Sequence, residues 1–259
     1  MRKRQYGHQS LKIEFHRTYL IMALGFILTG HYLNLIVFTS LILIHELGHY
    51  LMARIMKFNV EKIIIYPYGG LTKISDMINR DISEELLIAT FGVIMQYLFY
   101  LLIKLSYTQG IIREYTYNLY TIYSNQMIFF NLLPIYPLDG SKILNLILDK
   151  YLPYYKSNLV TVLISLITIL TIILTSIYKS SYSNIMVMTL LLTYLYKFYS
   201  KRKYLYNRFL LERYLYDIEY PSIKVINNIK GMFKNRTHLI NINNTYIKEK
   251  RYLSTLFKK

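Results

Sequence analysis

The sequence predicts a mainly α, polytopic membrane helix bundle of about six spans, with a short membrane-associated β-hairpin and a small C-terminal cytosolic segment. Three observations carry that expectation. Hydrophobic residues make up 54% of the 259 and are gathered into long runs, and about 20 mainly apolar residues are enough for a helix to cross a bilayer. The 31 Lys and Arg are segregated between those runs rather than spread along the chain. There is no cysteine, so disulfides are excluded and any metal must be held by His, Asp or Glu.

The basic start (Arg2, Lys3, Arg4) leads into an apolar run with no small-residue cleavage site after it, so it reads as a retained first span and not a signal peptide. From Tyr19 to Met56 the stretch is too long for one crossing. Gly30 and His31 divide it into a short helix and a second of roughly 25 residues. Residues 58–85 are not a span: Val60 to Tyr66 is β-rich, Pro67-Tyr68-Gly69-Gly70 is a turn, and Leu71–Ile74 is a second short strand, which together read as a hairpin. Residues 86–103 form the third span. The fourth, 117–136, is interrupted by Asn118, Ser124, Asn125, Gln126 and Asn131, groups that at membrane depth face a bundle interior or a wet cavity. Residues 159–178 and 182–199 complete the six. The chain thus divides into a membrane-embedded domain over 1–200 and a basic segment, rich in Tyr and Asn, over 201–259.

Charge sets the expected orientation. With both termini cytosolic, the inward segments carry 28 of the 31 Lys and Arg, and the outward loops hold only Lys104, Arg113 and Lys179. This placement also disposes of nucleic acid as a partner. The net charge of +17 is the positive-inside pattern of a multi-pass cell membrane protein in contact with the lipid bilayer, and no nucleic acid is expected. High Lys, Ile, Asn and Tyr usage suits an AT-rich bacterial genome. His8, His16, His31 and His238 read as surface residues, and the tyrosines, Tyr32, Tyr97, Tyr100, Tyr178 and Tyr199 among them, as interface and packing residues.

Residues 45–49 read His45-Glu46-Leu47-Gly48-His49. On a helix the two histidines lie one turn apart on one face and reach a single metal ion, with Glu46 beside them to act on a water. From the chain's own His and Glu content, chance supplies this pattern roughly 0.005 times per sequence of this length, so coincidence is a poor explanation. The bland alternative, a pair of satisfied core histidines, leaves two imidazoles and a carboxylate in an otherwise apolar run without a reason for their cost. A catalytic zinc site takes a third protein ligand. Asp139, in Asn131-Leu132-Leu133-Pro134-Ile135-Tyr136-Pro137-Leu138-Asp139-Gly140, is the candidate, because the prolines break helix there and Gly140 relaxes the backbone. By position alone it serves equally well as the cap of a helix over Ser141 to Tyr151.

The pairing of HELGH in an early membrane helix with NLLPIYPLDG some 85 residues on resembles the site-2 protease family of intramembrane zinc metalloproteases. The compact layout, without an inserted PDZ domain, looks most like its sporulation branch. The resemblance covers roughly residues 15–150. It implies one catalytic Zn2+ with His45, His49 and Asp139 as ligands and Glu46 as general base. It also implies that Asn131 holds substrate or transition state, and that Gly69 and Gly70 belong to an edge that pairs with extended substrate. The implied activity is hydrolysis of a peptide bond in a membrane-associated protein, in this branch a pro-sigma-K-like precursor cut during sporulation in the outer forespore membrane. Inhibitory membrane-protein partners and an oligomer are compatible with it. Three departures stand out: Gly92-Val93 in place of a Gly-Pro pair, Gln96 in place of an Asn, and Asp139-Gly140-Ser141 in place of Asp-Gly-Gly. The branch usually ends in a CBS domain, an ATP-sensing module. Residues 218–259 leave room for a short or divergent copy, and ATP binding is not inferred from them.

Two other classes compete. A catalytically silent metal-binding scaffold or transporter would use the same ligands but has no need of Glu46. A structural membrane protein whose basic tail binds anionic lipid leaves the HExxH motif unexplained.

Overall fold

The computed structural model describes residues 12–216, 218–242 and 245–257; the basic start at Arg2 to Arg4 and His8 lie outside them. The chain divides into two compact units, Met1–Asp76 with Leu87–Asn131, and Met77–Leu86 with Leu132–Lys259.

The first unit is organised around a 24-residue helix. Strand β1 (Ile13–Phe15) leads into α1 (Arg17–Leu28), whose end is marked by Gly30 at φ +75°, and α2 (Tyr32–Ile55) follows. Along α2, Val37, Leu41, His45 and His49 recur every four residues and all are buried, so one stripe carries both apolar packing and the motif histidines. Strands β2 (Val60–Tyr66) and β3 (Gly69–Ile74) pair antiparallel with Tyr66 opposite Gly69, and β1 pairs parallel to the other edge of β2. That third strand was not legible: three exposed residues give no period to read. Val37, Leu41, Ile42, Ile63, Ile65, Tyr19 and Met127 form the core between helix and sheet. Helix α3 (Ile82–Thr108) and helix α4 (Glu114–Leu132) complete the unit. Of the polar residues that interrupt α4, Ser124 is buried and its backbone carbonyl accepts from Gln96 at 3.1 Å, whereas Asn118, Asn125 and Gln126 are exposed and do not face the bundle interior as expected. Elsewhere in the bundle Asn34 donates to Tyr123 at 2.7 Å, Ser40 meets Tyr120 at 3.1 Å, and Tyr19 meets Thr39 at 2.5 Å.

The second unit contains α5 (Asp139–Tyr151), α6 (Tyr154–Tyr178) and α7 (Tyr182–Leu215), the last a single 34-residue helix. A second sheet follows, in which β4 (Ile223–Ile226) runs parallel and β6 (Thr245–Lys248) antiparallel to β5 (Thr237–Ile242), and α8 (Glu249–Phe257) ends the described chain. Phe209, Leu210, Ile226, Met232, Ile240 and Leu253 bury this part against Tyr154 and Tyr206.

Among the described residues, α2, α3 and α6 are long and apolar enough to cross a membrane. The other three expected spans carry a weaker signal: helix α1 has 12 residues, about 18 Å at 1.5 Å per residue, and α4 and the 182–199 part of α7 are diluted by polar side chains.

His238, expected at the surface, is fully buried. The Phe233 N–H donates to its Nε2 at 3.0 Å, and its Nδ1 lies 3.0 Å from Glu249 Oε2. An acceptor role at Nε2 leaves the proton on Nδ1, facing the carboxylate, so the ring is held neutral in one tautomer. Burial pushes the His238 pKa down. Burial would raise Glu249, but the His238 and Arg213 contacts overcome it and keep that carboxyl below its usual range. Arg213, also buried, uses all five N–H groups, on Glu249, on Asn79, and on the backbone carbonyls of Phe233, Lys234 and Arg236. Beside it Glu212 accepts from the backbone N–H groups of Ile78 and Asn79.

Two outcomes are expected. Arg213→Ala leaves Glu249 buried without its cation and should cost about 3–5 kcal/mol of this part's stability, read as faster limited proteolysis after residue 215. Because His238 binds its second proton more weakly folded than unfolded, protonation of the unfolded chain wins as pH drops. Protection is therefore full above about 6.5, the ordinary His value, and declines below it; His238→Gln should flatten that decline in hydrogen exchange.

Candidate metal centre

Which nitrogen each of two histidines one helical turn apart can present is set by what holds the other nitrogen. His45 is buried in the middle of α2 and its Nδ1 lies 3.1 Å from Gln96 Oε1 on α3. Gln96, itself fully buried, donates its amide N–H to the Ser124 carbonyl at 3.1 Å, which fixes which end of the amide faces His45. An oxygen therefore faces Nδ1, and Nδ1 must carry the proton. His49 reaches the same state by a different route, its Nδ1 lying 2.7 Å from the Ile88 backbone carbonyl. With both Nδ1 protonated, both Nε2 atoms are unprotonated lone pairs, and they stand 3.0 Å apart. Two lone pairs presented at that distance can share one metal ion, which is the chemistry of a metal-ligand pair.

Close helix packing makes the arrangement possible. A Cβ on Gly48 would stand 2.7 Å from the Phe91 carbonyl and 3.0 Å from Gly92 Cα, so α2 and α3 touch backbone to backbone. A Cβ on Gly92 would stand 2.3 Å from His49 Nε2. Gly92 thus leaves the volume the imidazole occupies.

Glu46 points to the sheet. The Thr72 hydroxyl on β3 donates to Glu46 Oε2 at 2.7 Å, and a Cβ on Gly70 would stand 2.2 Å from Glu46 Cγ. Gly70 therefore gives the carboxylate its room, while Gly69, at φ +146°, makes the turn into β3. Thr72 escaped the sequence reading. Its signal was a faint one, a polar residue turned inward between the exposed Leu71 and Lys73.

Asp139 is the first residue of α5, which begins two residues earlier than expected. Leu138, not Asp139, is the N-cap, so the capping role does not account for the carboxylate. It is buried and meets Lys142 Nζ at 2.8 Å. Gly140 lets the chain double back: a Cβ there would meet the Leu132 carbonyl at 2.2 Å. Ser165 on α6 steadies the preceding loop, donating to the Pro134 carbonyl at 2.9 Å and accepting from the Tyr136 N–H at 3.3 Å. Asn131, in the last turn of α4, is half-buried.

His45, His49 and Asp139 each offer one ligand atom, all within 4.8 Å of one another, and form the one buried group among the described residues that could hold a metal ion. Two imidazoles and a carboxylate suit zinc.

Residues 33–110 match the family model described as Peptidase family M50. The chain is 34% identical over 212 residues to Stage IV sporulation protein FB of Bacillus subtilis, covering 79% of this chain and 72% of that protein. It is 32% identical over 159 residues to a zinc metalloprotease of Methanocaldococcus jannaschii, covering 57% of this chain and 45% of that one. Among solved structures it resembles the site-2 protease from Methanocaldococcus jannaschii, with a TM-score of 0.58 and 23% identity over 72% of this chain and 90% of the other.

Gly92→Ala places a methyl group in the space of the His49 ring. Bound zinc per purified chain, measured by elemental mass spectrometry at limiting metal, is expected to fall with an affinity loss of about 10–100-fold, while Gly25→Ala, at a site with open space, leaves it unchanged.

Proposed function

The chain belongs to peptidase family M50, the site-2 protease family of metalloproteases, and on that premise we propose that it cleaves a membrane-associated protein by regulated intramembrane proteolysis. The observation that carries the reading is the pair of unprotonated Nε2 atoms facing each other on an apolar helix, with a buried carboxylate between them in sequence.

His45, His49 and Asp139 would hold the ion, which would supply Lewis-acid polarisation of the scissile carbonyl and of the attacking water. Glu46 takes the proton from that water and returns it to the leaving amine, with Thr72 keeping one carboxylate oxygen oriented. Asn131 steadies substrate or transition state. A substrate helix in the bilayer has its own backbone hydrogen bonds satisfied, so it must unwind to be cut. Pairing with the β2–β3 hairpin, around Gly69 and Gly70, replaces some of the bonds it loses.

The 28 inward Lys and Arg support six crossings with both termini cytosolic. The identity to a sporulation protein supports a pro-sigma factor as substrate and the forespore membrane as the setting.

The test compares zinc content and cleavage of a reconstituted membrane substrate. Glu46→Gln is expected to retain zinc and lose about 10²–10⁴-fold in turnover, and Asp139→Asn to lose zinc and turnover together. Full cleavage by Glu46→Gln would sink the assignment of the base. Zinc held normally by a well-folded wild type that cuts no substrate would favour the scaffold reading.

A further inference from the structure

Helices α6 and α7 are joined by a turn at Lys179–Ser181. Tyr155 sits in the first turn of α6, at the end remote from that connection, and Arg202 stands about six turns into α7. At about 1.5 Å per residue, both stand roughly 30–36 Å along their helices from the turn, which is the thickness of a hydrocarbon core. With α6 crossing the bilayer and the turn at one face, Tyr155 comes to headgroup level at the other, and Arg202, in contact with it, comes to the same level.

At that level two cations converge on one ring. The Arg202 guanidinium carbon is 4.9 Å from the Tyr155 ring centroid and 5.1 Å from that of Tyr199, and Lys230 Nζ is 5.3 Å from the Tyr155 centroid. Arg202 Nη2 donates to the Tyr155 hydroxyl at 3.3 Å, a long bond, and Nη1 is buried with no acceptor among the described residues. Neither Arg202 nor Lys230 has a carboxylate partner among those residues, although the nearby Arg208 and Arg213 each do. The cluster is held in place. The Tyr206 hydroxyl donates to the Ile229 carbonyl at 2.6 Å, which pins the 3₁₀ turn Ile229–Gly231 that carries Lys230, and Tyr206 packs edge-on against Tyr155.

Two cations over one ring without a carboxylate, beside an orphaned N–H, suit an anion with several acceptor oxygens. We propose that Tyr155, Arg202 and Lys230 form a binding site for the phosphate of an anionic lipid headgroup. The tyrosine hydroxyl and guanidinium donate to the phosphate, and Lys230 supplies the second charge. A headgroup with a net negative charge is preferred over a zwitterionic one, whose ammonium would meet Arg202 and Lys230 as a like charge. The site is separate from the metal ligands and the peptide-bond chemistry, and serves to fix this end of α6 and α7 at the membrane surface.

The experiment uses the full chain in phosphatidylcholine nanodiscs doped with phosphatidylglycerol, reading retained lipid by native mass spectrometry. Wild type is expected to enrich phosphatidylglycerol. R202Q/K230Q should lose about tenfold or more of that enrichment, the effect of removing two near-surface charges, with phosphatidylcholine unchanged. The charge-conserving R202K/K230R variant, which guards against simple misfolding, should keep most of it. Equal enrichment in R202Q/K230Q and wild type would overturn the site. An equal loss in K201Q/K203Q, which alters exposed neighbours, would overturn it in favour of diffuse charge. Displacement of phosphatidylglycerol by millimolar inorganic phosphate would overturn the lipid source in favour of a soluble phosphate ligand.

Discussion

Two hydrogen bonds, from His45 Nδ1 to Gln96 and from His49 Nδ1 to the Ile88 carbonyl, set the conditions for the rest of the centre. A neutral imidazole has one donor and one acceptor nitrogen, and a buried partner at one of them selects the tautomer. The oxygens on α3 decide it. Both rings then present lone pairs to the same point, and burial that would otherwise be a cost becomes a preorganised ligand set. Because one of the two acceptors is a backbone carbonyl, α3 must approach closely, and the glycines at Gly48 and Gly92 follow from that requirement.

The same economy runs through Glu46. A carboxylate buried at membrane depth needs a donor, and Thr72 on β3 provides one without supplying a charge that would compete for it. Sheet and helix are thus joined at Glu46, the residue proposed as the base. Gly70 is explained on this basis before any role toward substrate is considered. In the other unit, Arg213, Glu249 and His238 solve a comparable problem by mutual satisfaction, which is why a segment with few apolar residues still has a defined core.

Much of this was legible in the sequence. The HExxH spacing on an apolar run and the proline-bounded Asp139 picked out the three residues that form one buried group able to hold a metal ion, because metal chemistry constrains residue type and spacing together. The hairpin turn at Pro67 to Gly70 and the long helices followed from local pattern. What escaped reading depends on contacts between distant segments. Strand β1 exists through its pairing with β2, and no property of Ile13–Phe15 announces it. Thr72 matters because Glu46 lies across from it. His238 looked like a surface histidine because the two residues that make its burial tolerable, Arg213 and Glu249, lie on separate helices on either side of it in the chain. Gln96 was noticed as an amide out of place, and its function became clear only when the Ser124 carbonyl fixed its orientation.

The most direct measurement is the zinc K-edge absorption spectrum of the purified full-length chain, for wild type and His45→Gln. Two imidazoles at about 2.0–2.1 Å together with carboxylate or water oxygen at about 2.0–2.2 Å are expected in wild type, and one imidazole fewer in His45→Gln. Zinc without imidazole scattering, or an imidazole count unchanged by His45→Gln, would contradict the assignment of the metal to this helix.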